Sequence, residues 1–297
     1  THRLVLLAAA LVSASGLMLS PVSHAQTLAW DQIAEGLAVT VWEPGARCGD
    51  EVAPLYMVKV DPERFRFSTY YFRDEGLPAP LTIQEWQRRT HAAVLFNAGL
   101  FREDFTYLGL LYKDGRSLGS KRHPQWQGLF VAEPIEPSQR KARVLDLAVD
   151  SFTDDQPSYR EAAQSLMLFD RTGKPRVRHT GKQAHQMVVG EDGEGNILLV
   201  KTTGAVTLRA VAECLRERMP SIRQAMAMDG GSSSDLLVGA ELLTKQKEGG
   251  QSRLWQALVD GSGLAHIPLP SVIGLFPRGM ASPKQGTTEG RSRQDRP

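Results

Sequence analysis

Asp229 has the setting of a reactive carboxylate. It follows the apolar run Ala225-Met226-Ala227-Met228 and precedes Gly230-Gly231, the hydroxyls of Ser232, Ser233 and Ser234, and then Asp235. A short apolar run bounded by turn residues reads as a core strand. The two glycines permit close backbone approach and leave Asp229 unshielded. A rigid strand thus delivers a carboxylate onto an open turn lined with hydroxyls, which is where catalytic groups are often carried. The plainer reading is a polar turn whose Asp and Ser side chains serve their own backbone. Asn97 has a matching setting. The run Ala92–Phe96 leads into Asn97-Ala98-Gly99-Leu100-Phe101. An amide that both donates and accepts can orient a sugar hydroxyl or a phosphoryl oxygen. Glu103 and Asp104 follow closely and are candidates for a second acid, although exposed acidic pairs are commonly only solvated. The basic stretch Arg176–Lys182, with His185 and Gln186 just after it, could hold a phosphoryl group.

These groups need a scaffold. The clearest helix is Thr207–Met219, with Leu208, Val211, Ala212, Leu215 and Met219 on one face, Thr207 as N-cap and Pro220 as stop. It feeds the strand that ends at Asp229. Thr82 is expected to cap a short helix through about Arg89, with Gln84 and Glu85 in its first turn. Ser158 is expected to cap another to about Gln164. Leu37–Trp42, Leu55–Val60, Phe65–Phe72, Leu129–Ala132, Val144–Val149, Leu166–Phe169, Met187–Gly190, Ile197–Lys201, Leu254–Val259 and His266–Phe276 read as strands. Tyr107–Tyr112 and Arg116–Leu118 read as a hairpin around Lys113-Asp114-Gly115. Glu241–Arg253 reads as a mobile loop. About a dozen short strands with one long helix give an α+β fold: a single domain with a large mixed or mostly antiparallel β-sheet and a few packed helices.

The chain has 297 residues, a net charge of +2, 41% hydrophobic and 23% charged residues. That is globular composition with no global field to attract nucleic acid. Leu4–Leu19 is mostly apolar, follows a basic start and precedes Ser23-His24-Ala25, so residues 1–25 read as a secretory signal peptide. The stretch is shorter than the ~20 residues of a spanning helix, so the expected product is exported, periplasmic or secreted, with no membrane span after cleavage. Residues 26–54 read as a lead-in, 55–276 as the functional domain and 277–297 as a disordered tail. Cys48 and Cys214 could form a disulfide in an oxidising compartment or remain separate thiols. No cofactor is called for. Asp229, Asp235 and the serine oxygens offer hard ligands suited to Ca²⁺, but the loop does not follow an EF-hand pattern.

Four segments in order resemble the phosphodiester glycosidase family. Asn97-Ala98-Gly99-Leu100-Phe101 resembles its N-G-G-[FY]-F element, and Met228-Asp229-Gly230-Gly231-Ser232-Ser233 its L-D-G-G-G-S element. Gln164–Gly173 resembles the strand and turn between them, and Thr207–Ala212 the helix before the second motif. The resemblance covers roughly Leu55 to Phe276. It implies hydrolysis of a sugar-1-phosphate diester at the glycosidic carbon, on a carbohydrate or glycan phosphodiester. Asp229 would be the principal catalytic carboxylate and Glu103 or Asp104 the second. Asn97, Gly99, Gly230, Gly231, Ser232 and Ser233 would shape and orient the substrate site, with His185, Gln186 and Arg178 beside them. Three departures stand out: Ala98 replaces a glycine, Leu100 stands where an aromatic is common, and Gln186 falls where many members carry an arginine. Either Arg178, Lys182 or His185 then supplies the positive charge, or the substrate differs, or activity is lost. The rival readings are a non-catalytic periplasmic glycan-binding protein of the same fold and a hydrolase of another envelope phosphodiester.

Overall fold

A computed structural model describes residues 28–48, 52–247 and 252–279. The proposed signal peptide and most of the proposed tail lie outside them. In chain order the strands begin with β1 (Asp31–Ala34), β2 (Leu37–Trp42), β3 (Leu55–Val60), β4 (Phe65–Tyr71), β5 (Val94–Asn97) and β6 (Leu111–Lys113). They continue with β7 (Arg116–Ser117), β8 (Gly128–Pro134), β9 (Ala142–Asp146), β10 (Tyr159–Phe169), β11 (Gln183–Ala184) and β12 (Met187–Asp192). The last are β13 (Ile197–Thr202), β14 (Val206–Thr207), β15 (Ile222–Ala227), β16 (Leu236–Val238) and β17 (Ser271–Pro277). The α-helices are α1 (Ile83–Thr90), α2 (Leu208–Arg218), α3 (Thr244–Lys247) and α4 (Ser252–Asp260).

Among the described residues, eleven strands form one sheet in the order β1-β2-β3-β13-β12-β15-β10-β6-β7, with β8 on β10 and β9 on β8. Four more form a second sheet, β16-β5-β17-β4, and every pairing in both sheets is antiparallel. The fold is α+β with a dominant antiparallel sheet, as its sequence pattern implies. Alternation along the strands sends side chains to two sides. Val58, Val189, Leu199 and Met226 meet Phe67, Leu95, Phe96 and Ile273 of the small sheet in the main core. Met57, Val188, Leu198 and Ala225 face the other way, onto Val211, Ala212 and Leu215 of α2. The disulfide Cys48–Cys214 ties this helix to the segment after β2.

Two of the three predicted caps form, those at Thr82 and Thr207. The Thr82 side chain accepts the Glu85 amide while Glu85 reaches back to the Thr82 amide, a full capping box. Thr207 accepts from the Ala210 amide. Asp114 and Gly115 both take positive φ, as a two-residue hairpin turn requires. Three expectations fail. Tyr159–Gln164 is not a helix but the first half of β10, because its residues pair with β8 along their length. Leu254–Val259 is not a strand but part of α4, where buried Trp255 and Leu258 stand one turn apart on the core side. Glu241–Arg253 carries a 3₁₀ turn, α3 and the start of α4 within its described residues, rather than a bare loop. The N-terminal segment is also more than a lead-in, since β1 and β2 extend the large sheet beyond β3.

Candidate active site

The site lies where the carboxyl ends of β15 and β5 converge, one from each sheet. Asn97, at the end of β5, joins them. Its Nδ2 donates to the Asp229 carbonyl at 2.8 Å and to the Ala98 carbonyl at 3.0 Å, and its Oδ1 accepts from the Asp235 amide at 2.9 Å. The Asp229 amide completes the seam by donating to Ala98 O at 3.2 Å. Asn97 is buried and its amide is spent on backbone, so it clamps both ends of the Gly-Gly-Ser turn and does not line the cavity.

The turn is shaped by close approach. Gly231 takes φ +69° and donates its amide to His185 O at 2.8 Å. A Cβ on Gly230 would lie 2.9 Å from Gln186 Oε1 and 3.0 Å from His185 O. A Cβ on Gly99 would lie 2.3 Å from Tyr107 Oη, which accepts from the Gly99 amide at 2.9 Å. These glycines are therefore steric requirements.

Asp229 faces a cavity of about 500 Å³. Burial pushes its carboxyl up to about 6, against the opposing pull of Ser233, the Gly230 amide and the Lys182 charge. Arg176, Arg178 and Lys182 line the same cavity. Arg176 is already engaged by Asp146 at 2.8 Å and Asp170 at 3.4 Å, whereas exposed Arg178 and Lys182 stand at the mouth. Gln186 lines the cavity, but its Nε2 donates to the carbonyls of Ala184 and Val206, each at 3.0 Å, which makes it a bracket for the loop. His185 is half-buried, with Nδ1 3.3 Å from Thr202 O and 3.5 Å from Lys201 Nζ. Burial and that ammonium push its imidazole down. Ser233 is buried beside Asp229, and Ser232 is exposed.

Glu103 and Asp104 do not join Asp229. They lie exposed near the tip of the hairpin closed by the Phe101–Tyr107 bridge. Asp104 accepts both the amide and the hydroxyl of Thr106 at 2.9 Å, bonds that hold its carboxyl low. Among the described residues lining the cavity, Asp229 supplies the one carboxylate. Asp235 is occupied elsewhere: Oδ1 accepts the amides of Leu236 and Gly263 at 2.8 Å, and Oδ2 lies 3.8 Å from His266 Nδ1. The hard ligands the sequence offers to Ca²⁺ thus point to separate tasks, and among the described residues no three His, Cys, Asp or Glu side chains gather as a metal set.

Two groups escape a sequence reading. Lys201 is fully buried below His185, donating to Thr202 O at 2.8 Å, and burial pushes its ammonium down to about 8. A lone lysine at a strand end carries no signal of that burial. Trp126 stacks on His123 with centroids 3.8 Å apart and forms part of the cavity wall, flanked by Gln125 and Gln127. Gln164 places this segment: Nε2 donates to His123 O and Trp126 O, and Oε1 accepts from the amides of Leu110 and His123. An aromatic between two amides is a faint carbohydrate-site cue, but only the fold brings it to the cavity of Asp229.

A family model for phosphodiester glycosidases matches residues 90–275. Among solved structures, the chain is similar to a hypothetical protein from Synechocystis, with a TM-score of 0.57 and 14% identity, over 84% of this chain and 64% of that one. It therefore spans less than two thirds of that protein's length. It is also similar to the zebrafish N-acetylglucosamine-1-phosphodiester alpha-N-acetylglucosaminidase catalytic domain, auto-inhibited by pro-peptide. There the TM-score is 0.53 and the identity 13%, over 86% of this chain and 85% of the other. At such identities the likeness is one of fold. No curated protein matches the chain.

Proposed function

The chain belongs to the phosphodiester glycosidase family, and from that premise we propose that it is a hydrolase releasing a sugar from a sugar-1-phosphate diester. One observation carries this reading: Asp229 shares its cavity with two exposed cations, Arg178 and Lys182, that can meet a phosphate. Asp229 acts as general base. It takes a proton from water, and the water oxygen bonds to the anomeric carbon. The bond from that carbon to the phosphate oxygen breaks, and its electron pair leaves with the phosphomonoester. Glycosidases commonly pair a base with an acid that protonates the leaving group. A phosphate monoester is a good leaving group without that help, which fits a cavity with one carboxylate. Arg178 and Lys182 offset the charge that builds on the phosphate. Trp126 offers an apolar face to the sugar ring.

The compartment belongs to the same proposal. The apolar stretch Leu4–Leu19 and the Cys48–Cys214 bond support an exported, periplasmic or secreted protein acting on envelope or extracellular glycans. Among the described residues no helix is long and apolar enough to cross a membrane.

The test is sugar release from a panel of sugar-1-phosphate diesters by the purified chain, with Asp229→Asn alongside. Release by wild type, cut by about 10²–10⁴ in the variant, is the expected result for loss of a general base. A folded wild-type protein that releases no sugar from any diester would favour a glycan-binding role.

A further inference from the structure

A second large cavity, of about 670 Å³, opens by the start of β15, the strand whose other end leads to Asp229. Its floor holds Glu191, near the end of β12, and Gln224, near the start of β15, which pair across the ladder. Five residue steps of largely extended chain separate Gln224 from Asp229, roughly 16 Å at ~3.3 Å per residue. Four arginines line this cavity: Arg140, Arg143, Arg171 and Arg223. The two carboxylates that line it are already engaged. Glu191 lies 2.8 Å from Arg140, and Asp150 lies 2.6 Å from Arg171. Two carboxylates cannot neutralise four guanidiniums, so the cavity keeps an excess of positive charge.

Two buried atoms of its lining residues also lack hydrogen-bond partners among the described residues. Arg143 Nε is one, at 3.9 Å from Glu191 Oε1. Gln224 supplies the other. It is 3% exposed and commits Nε2 to Val144 O and Glu191 Oε2, which leaves Oε1 unpartnered. Buried polar atoms without partners are rare enough to need a reason. These two ask for opposite things: Arg143 Nε needs an acceptor and Gln224 Oε1 needs a donor. A bare oxyanion serves only the first, and a neutral sugar, whose hydroxyls can do either, brings no charge to the guanidiniums.

We propose that this cavity is a second binding site, specific for an anionic sugar, whose phosphate or carboxylate meets Arg143 and Arg223 while a hydroxyl donates to Gln224 Oε1. Guanidiniums are well matched to such oxyanions, and the volume falls in the range of small-ligand pockets. The site is independent of chemistry at Asp229, so it stands whether or not the chain is a glycosidase.

The test titrates isotope-labelled full-length chain with glucose 6-phosphate, glucuronate, glucose and inorganic phosphate, following amide shifts and heats. The expected result is that at least one of the two anionic sugars moves the amides of residues 139–159 and 221–224. Its affinity exceeds those of glucose and of inorganic phosphate. Arg223→Gln, on the exposed rim, weakens it at least about tenfold, the scale of one lost charged hydrogen bond. Lys182→Gln, in the other cavity, leaves it unchanged. The proposal is overturned if neither anionic sugar binds at millimolar concentration. It is equally overturned if inorganic phosphate binds as well as the sugars, or if the shifts centre on residues 228–231 and vanish with Lys182→Gln.

Discussion

Asp229 must be ionised to accept a proton, yet burial holds its carboxyl at about 6 instead of 3.8. That difference is on the order of 2–3 kcal/mol of folding free energy. The sign follows from linkage. The folded state holds the proton more tightly than the unfolded state, so stability from this group is fully present below about pH 4 and is lost as pH rises through about 6. Asp229→Asn removes the ionisation. We expect it to match wild type in thermal stability near pH 4 and to exceed it increasingly up to pH 7.5, while losing activity. Equal stability across that range in calorimetry would mean that Asp229 is not desolvated. Wild-type kcat/KM should rise with pH through about 6, because the base works only when deprotonated. Trp126 answers to a different measurement. If it is the sugar platform, Trp126→Ala should raise KM roughly tenfold, as truncating a buried aromatic anchor does, and should change kcat far less.

At the scale of elements, the site is a seam between two sheets, and Asn97 is its fastening. Asn97→Ala would leave the Asp235 amide and the Asp229 carbonyl without that side chain, at about 1–3 kcal/mol for each buried group. We expect lower stability in urea together with a fall in kcat, because the turn bearing Asp229 loses its anchor. Unchanged stability with a higher KM alone would instead make Asn97 a substrate contact. Local chemistry made much of this frame readable. The Thr82 and Thr207 caps, the Asp114-Gly115 turn and the apolar face of α2 are encoded within a few residues. The strand-to-Gly-Gly transition that exposes Asp229 is equally local. Tyr159–Gln164 misleads because Glu161-Ala162-Ala163-Gln164 favours a helix by intrinsic propensity, which pairing with β8 and β6 overrides. Leu254–Val259 misleads because a short apolar run has no decisive period. The assignment of Glu103 and Asp104 to the site, and the silence of Lys201 and Trp126, share one cause. Membership of this cavity depends on which strand ends meet, and nothing in the neighbouring residues encodes that.

At the scale of the whole molecule, the disulfide is a covalent tie across most of the chain. Cys48 and Cys214 are 166 residues apart, so the bond closes a loop holding β3 through β14. Chain-entropy reasoning assigns a loop of that length about 5 kcal/mol of stabilisation, and natural disulfides typically deliver 2–5 kcal/mol. Its position decides what its loss would do. It fastens the second half of α2 to the segment after β2, at the outer face of the large sheet. The Asp229 cavity touches the same helix only at Leu208, at its first turn. Reduction, or the pair Cys48→Ala and Cys214→Ala, should therefore lower the urea midpoint substantially while leaving kcat/KM at 25 °C nearly unchanged. A reduced protein that keeps its midpoint would show that the bond constrains little of the unfolded chain. One that loses activity well below its unfolding temperature would show that strain in α2 reaches its first turn. The site would then depend on the helix as a rigid rod as well as on the seam at Asn97.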